Sequence, residues 1–320
     1  MAEIWTMGEL LVEIMRPRAD MPFERTNKFL GPFPSGAPAI CIDTAARLGK
    51  KAGIIGGVGD DGFGKNLVKR LEADGVDCRY VTTIEGSTGV AFISYTSDGS
   101  REYIFHIKDT PSVKVKRPEE LHVGNSGYFH LMGCSLFMDT KFTKEILETM
   151  KEFIEKGFQI SFDPNIRSEL LKGDEMANTI TPVLEQCSVL LPGLDELLML
   201  SRKRNIDDAI KYMFENYRKL SIIAIKLGGR GCRIVTRSDD FSVKAPRVKE
   251  VDPTGAGDCF DAGFLSVLCD GGDLIEAAIT ASAVGALNVQ AFGPMEGKIT
   301  KRTLSKMINT IKESMKMEEL

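Results

Sequence analysis

The stretch Asp252-Pro253-Thr254-Gly255-Ala256-Gly257-Asp258 decides how this 320-residue chain reads. It sets two glycines, an alanine and a carboxylate just ahead of Cys259 to Leu268, whose apolar spacing predicts a helix buried along one face. At the start of such a helix Gly255, Ala256 and Gly257 present backbone N–H groups with no partner inside the helix, at the positive end of its dipole. An anion is the natural guest. Asp258 in the same turn repels an anion unless it has a task there, and a carboxylate beside a phosphate-binding turn is placed to take a proton from an attacking hydroxyl. The combination points to phosphoryl transfer. The plainer reading gives the glycines a tight strand-to-helix turn and Asp258 a first-turn position favoured by the dipole.

Composition narrows the classes. The chain is 43% hydrophobic and 27% charged, and no apolar run approaches the ~18 residues needed to span a bilayer. The N-terminus, Met1 to Met7, lacks the basic flank and long apolar region of an export signal, so a cytoplasmic protein is expected. Seven scattered cysteines without a Cys-x-x-Cys pair argue against disulfides and structural zinc, and Cys259 reads as a small packed residue. Three histidines, His106, His122 and His130, offer little material for a histidine-built site. A formal charge of −4 without a strong basic cluster argues against a nucleic-acid partner.

Short apolar runs read as buried strands: Ile4–Met7, Ala52–Ile55, Gly127–Leu131, Gln159–Phe162, Ser188–Leu191 and Ile222–Lys226. Helical patterns such as Thr143–Lys156 and Asp207–Lys219 lie between them, so a mostly parallel sheet wrapped by helices is expected. Glu24–Pro34 and Thr88–Ile107 break the alternation. In the second, Val90–Tyr95 and Arg101–Phe105 flank a Ser97-Asp98-Gly99-Ser100 turn, the pattern of a hairpin. Strands inserted in this way would form a small side sheet, a lid that excludes water.

Two glycine motifs compete with the first. Gly57-Val58-Gly59-Asp60-Asp61-Gly62 matches the dinucleotide pattern, with Asp77 about 20 residues on. Gly59–Lys65 matches a P-loop, but with Asn66 in place of Ser or Thr. In both, Asp60 and Asp61 stand where a phosphate should sit.

With its Asp-x-Thr-Gly-Ala-Gly-Asp run, the chain resembles the ribokinase (PfkB-type) carbohydrate kinases, and Gly56–Gly64 then looks like the family's first signature, near the sugar pocket. The resemblance runs through essentially the whole chain. It implies an α/β fold, a ribokinase-like three-layer sandwich with a mostly parallel central sheet plus a small β-sheet lid. One domain would span 1–320, with the lid inserted at about 13–34 and 86–110.

Carried over residue by residue, the resemblance makes Asp258 the general base and Gly255, Ala256 and Gly257 the anion hole. It makes Gly8–Glu13 the first strand, with Glu9 and Glu13 near the sugar and Glu13 where Asp is usual. Ser35-Gly36-Ala37-Pro38-Ala39-Ile40 looks like the lid hinge of fructokinase-like members. Ser35 stands there for a glycine, and Ile40 for an asparagine that binds sugar. Arg101 and Tyr103 become lid contacts to the sugar.

Asp163-Pro164-Asn165-Ile166-Arg167 resembles the Asp-x-Asn-x-Arg run of fructokinases and 2-keto-3-deoxygluconate kinases, which puts Asn165 at the substrate and Arg167 beside the transferred phosphate. Glu196 is implied in the outer shell of Mg2+, although Gly193 replaces the usual asparagine ahead of it. Lys226, Gly228, Gly229 and Gly231 resemble the nucleotide loop, and Ser282 matches a position near the nucleotide. Asp252, Thr254, Asn288, Ala291 and Gly293 correspond to a monovalent-cation (K+) site of some members.

The resemblance thus implies a kinase using ATP and Mg2+ on a primary hydroxyl of a small sugar or sugar acid. Fructokinase-like, 2-keto-3-deoxygluconate and nucleoside kinase specificities stay open, as does a homodimer through the lid. A non-catalytic sensor and an NAD-dependent dehydrogenase are the readings from other classes.

Overall fold

The computed structural model describes residues 2–166 and 175–318. Its strands in chain order are β1 (Glu3–Met7), β2 (Leu11–Ala19), β3 (Leu30–Ser35), β4 (Lys51–Gly59), β5 (Asp77–Ile84), β6 (Gly89–Tyr95) and β7 (Arg101–His106). Then follow β8 (Gly127–Met132), β9 (Gln159–Asp163), β10 (Cys187–Leu190), β11 (Ile222–Lys226), β12 (Cys232–Val235) and β13 (Asp240–Val243). Among the described residues, nine of them form one sheet in the order β13-β12-β11-β10-β9-β8-β1-β4-β5. From β11 to β5 every pairing is parallel, and β12 and β13 complete one edge as an antiparallel meander.

The six apolar runs all fall on strands of this sheet because strands covered on both faces need no polar alternation. Successive side chains go to opposite layers: Ile4, Ile54, Val189 and Ala224 join one apolar cluster, and Trp5, Ile55, Leu190 and Ile223 join the other. Helices 37–47, 62–73, 256–269, 274–288 and 301–318 pack on the first layer, and helices 140–155, 194–201 and 206–216 on the second. The outcome is a three-layer α/β sandwich with a mostly parallel central sheet.

β2, β3, β6 and β7 form a separate sheet in the order β3-β2-β6-β7. The β6–β7 hairpin pairs antiparallel from Val90↔His106 to Tyr95↔Arg101. One expectation is corrected here. Gly8–Glu13 is not the first strand: β1 ends at Met7, Gly8 to Leu10 turn away, and Leu11 already belongs to β2 of the side sheet. Apolar residues on both sides, Ile4–Met7 and Leu10–Val12, hide the break, and Gly8 fits it, since a Cβ there would lie 2.3 Å from Pro38.

β1 lies between β4 and β8, so the chain winds outward from it in both directions. In open parallel sheets the crevice at such a reversal, beyond the carboxyl ends of the strands, is where ligands sit. Glu9 follows β1, Cys134 and Ser135 follow β8, Asn165 follows β9, and the Gly228–Gly231 loop follows β11, all at that end.

Candidate active site

The helix predicted after Gly257 runs Ala256–Cys269, with Gly255 capping it at φ 78°. A side chain at Gly255 would be strained by that angle and would meet the Pro294 carbonyl at 2.5 Å, so the turn needs glycine. Behind it Asp252 holds the turn: Oδ1 accepts from Thr254 N (3.0 Å) and the Tyr95 hydroxyl (2.9 Å), and Oδ2 from Gly293 N (2.9 Å). The Thr254 carbonyl accepts from Asn288 Nδ2 at 2.8 Å, leaving Asn288 Oδ1 buried without a partner. Cys259 is fully buried against Thr44, and burial pushes its thiol up to about 12.

Asp258 is 5% exposed, and its Oδ1 accepts from Asn165 Nδ2 at 2.9 Å. Asn165, at φ 39°, is held by Asp163, whose Oδ1 accepts its backbone N–H (3.1 Å) and whose Oδ2 accepts its amide (3.4 Å). Lys226 Nζ donates to Asp163 (2.7 Å) and to Asp261 (3.2 Å), one turn beyond Asp258. Burial would push Asp163 up, but the Lys226 charge and a hydrogen bond shared with Asp261 bring it below the usual carboxylate range. Asp261 goes the other way, raised by burial and then by Asp163, so it keeps the proton while Asp163 keeps the charge. Burial drives the neighbouring His130 down to about 4, so this imidazole stays neutral.

Two hollows meet at this turn. The first is narrow, with a cavity volume of about 50 Å3. Glu9, Glu13, Gly36, Ile40, Arg101, Tyr103, Asn165, Gly255 and Asp258, all expected here, line it. Ser35 lies behind this wall and donates to Glu13 Oε1 at 2.8 Å, leaving Glu13 Oε2 buried without a partner. Burial raises Glu13 to about 7, with Asp252 and Asp258 adding to the rise and Ser35 and Arg101 opposing it. Glu9 accepts from the Ser135 hydroxyl.

The second hollow is an open cleft lined by Lys226, Gly228, Gly229, Gly231, Ala256, Gly257 and Ser282, with Phe260 and Val289 as apolar walls. The Gly255–Asp258 turn separates the two: Gly255 and Asp258 face the first, Ala256 and Gly257 the second.

Some expectations need adjustment. Lys226 lines the cleft, but its ammonium is already held by Asp163 and Asp261. Glu196 caps its own helix, Leu194–Ser201: Oε2 accepts from Gly193 N (2.6 Å) and Oε1 from Ile166 N (2.8 Å). Ala291 donates its N–H to the Asn288 carbonyl. None of Gly56–Gly64 lines the first hollow. There the Asp61 carboxylate fills its helix N-terminus, accepting from Gly64 N and Thr88 N, each at 2.8 Å, so no pyrophosphate fits the literal dinucleotide motif. Arg167 lies outside the described residues.

The sequence reading missed Tyr95, Cys134, Ser135, Met138 and Asp261, and gave Asp163, though part of a quoted motif, no role of its own. The Asp163 and Asp261 carboxylates carried a signal, each falling in an apolar run where an acid needs a buried partner.

The profile of the pfkB family carbohydrate kinases matches residues 30–301. Fructokinase-1 of Zea mays is 30% identical over 316 residues, covering 95% of this chain and 96% of that one. The aminoimidazole riboside kinase of Salmonella typhimurium is 30% identical over 302 residues, covering 92% and 91%. A protein designated a candidate ribokinase II of E. coli, solved apo and with ATP and Mg2+, is 37% identical with TM-score 0.88, covering 98% of this chain and all of that one. The chain belongs to the pfkB family of carbohydrate kinases.

Proposed function

We propose that the protein transfers the γ-phosphoryl group of ATP to a primary hydroxyl of a small neutral sugar, in the manner of a fructokinase. The observation that carries this reading is the turn itself: one helix N-terminus sets Asp258 against one hollow and Ala256 and Gly257 against the other. The sugar hydroxyl lies against Asp258 and the nucleotide in the glycine-lined cleft, its γ-phosphoryl group at the Gly255–Gly257 amides. The sugar oxygen forms a bond to the γ-phosphorus as the bond to the bridging oxygen of ADP breaks, and the hydroxyl proton passes to Asp258. Asn165 aims that carboxylate, and the Lys226–Asp163 pair aims Asn165.

Charge selects the substrate class. Glu9, Glu13 and Asp258 face Arg101 across the first hollow, an acid-rich lining suited to hydroxyl donors and adverse to a carboxylate such as that of 2-keto-3-deoxygluconate. A second reading, a nucleoside, draws on the apolar wall of Ile40, Phe105 and Met138 and on the riboside kinase relative. The side sheet acts as the lid over this hollow, since Arg101 and Tyr103 reach it from β7.

Among the described residues no group of three or more Asp, Glu, His or Cys could hold a metal ion. Mg2+ would therefore be held through the phosphates and water, with Glu196 beyond them, and would neutralise phosphate charge. A monovalent cation would lie by Asp252, the Thr254 carbonyl and the orphaned Asn288 Oδ1.

Sugar-dependent ADP release from ATP-Mg2+ tests the reading, across a panel of fructose, ribose, 2-keto-3-deoxygluconate and nucleosides. Asp258→Asn should keep nucleotide binding and lower kcat on the order of 10²-fold or more. Retained turnover in that variant would remove the base assignment. A silent panel in the wild type would overturn the kinase reading for these substrates.

A further inference from the structure

The hairpin of the side sheet carries a residue that the base, the anion turn and the sugar contacts leave unexplained. Tyr95 ends β6 and pairs directly across the hairpin with Arg101, so both side chains lie on the sheet face turned toward the site. Arg101 enters the sugar hollow. The Tyr95 hydroxyl reaches instead to the turn before the anion hole, donating to Asp252 Oδ1 (2.9 Å) and lying 3.1 Å from Thr254 Oγ1.

Asp252 is 1% exposed and Thr254 5%, so this bridge is shielded from water, where a hydrogen bond to a carboxylate is strongest. Burial and the facing Asp252 raise the Tyr95 hydroxyl well above its ordinary range, so it remains a donor at all physiological pH. Phenylalanine would fill the same space and lose only the tie.

We infer that Tyr95 is a positioning residue that locks the side sheet to the anion-hole turn, so that seating of the hairpin over the sugar and shaping of the γ-phosphate site are one event. Resting on the kinase reading above, this makes sugar and nucleotide binding mutually supportive. Sugar that engages Arg101 and Tyr103 stabilises the seated hairpin, the seated hairpin holds Asp252 and Thr254, and these hold Gly255. The coupling is reciprocal by linkage.

Two measurements on the full-length protein test it. The first is amide hydrogen exchange without ligands in wild type, Tyr95→Phe and Thr254→Val. Exchange in the segment 252–257 should speed up about tenfold in both variants, while β8 and β9 keep wild-type protection. The second is titration of a non-hydrolysable ATP analogue with and without the sugar found active in the panel. The sugar should tighten the analogue by a factor of about 5 or more in the wild type, the lower end of ordinary coupling, and by less than twofold in Tyr95→Phe. The kcat of Tyr95→Phe should fall about tenfold with little change in KM for sugar.

Wild-type exchange in 252–257 together with intact coupling would overturn the inference. Faster exchange everywhere would also overturn it, by reducing Tyr95 to a general stabiliser. Absence of sugar-dependent turnover in the wild type would count against the kinase reading alone, because the exchange measurement judges the tie without any substrate.

Discussion

Replacing Lys226 by methionine tests the polar chain behind the base. The ammonium is 2.7 Å from Asp163 and 3.2 Å from Asp261, with side chains 16%, 2% and 0% exposed. Removing it leaves Asp163 as a buried carboxylate without its counter-charge, a change that costs about 3–5 kcal/mol when such a pair is broken. With an unfolding entropy of about 2.1 cal/mol/K per residue, that corresponds to a Tm about 4–7 °C lower for a chain of this length.

The deficit must depend on pH. In the wild type Asp163 is held below its ordinary value, so its contribution is present above the unfolded pKa and persists from pH 5.5 to 8. In Lys226→Met burial dominates and lifts the folded pKa. The folded state then binds a proton that the unfolded state has lost, and stability falls as pH rises from the unfolded value through the folded one. Urea unfolding at pH 8 should show the full loss, and at pH 5.5 a loss smaller by more than about 1 kcal/mol, as one pKa unit is worth 1.36 kcal/mol. The double variant Asp163→Asn, Lys226→Met should recover much of the stability but not kcat, because Asn165 has lost its anchor. A pH-independent loss below about 1 kcal/mol in the single variant would refute the assignment of Lys226 as the counter-charge.

Gly255→Ala should lower kcat on the order of 10²-fold and destabilise by at least the roughly 1–2 kcal/mol of a left-handed residue, since its Cβ meets the Pro294 carbonyl; steady-state kinetics and thermal unfolding read both. Glu13, raised to about 7, is protonated in the empty site below that pH and then presents fewer acceptor sites to sugar hydroxyls. KM for sugar should therefore rise about tenfold between pH 8 and 6, and Glu13→Gln should have a higher but pH-flat KM. Because its folded value is raised, Glu13 also adds stability that is lost as pH climbs from 4.5 to about 7, and Glu13→Gln should flatten that part of the Tm profile.

Much of the molecule was legible in the chain. Buried parallel strands show as unbroken apolar runs, and the glycine-rich turn ahead of a helix announces an anion site through backbone geometry that glycine alone permits. Those signals are local, arising from residues a few positions apart, and they led to the helix-wrapped parallel sheet, the side hairpin and Asp258, whereas the glycine loop at 228–231 came through the family resemblance.

Other features had no local signature. That Gly8 ends β1 and hands the chain to the side sheet depends on its contact with Pro38, thirty positions away. That Asp61 silences the Gly57–Gly62 motif depends on Thr88, and that Lys226 serves Asp163 depends on β9 and β11 ending at the same edge of the sheet. Sequence by itself determined which elements form and where an anion can bind, because hydrophobic period and glycine placement act within a single element. Only the tertiary structure decided which carboxylate keeps its proton, which lysine is already paired and which tyrosine reaches the turn. Those depend on burial and on charges brought within 3 Å by strands far apart in the chain.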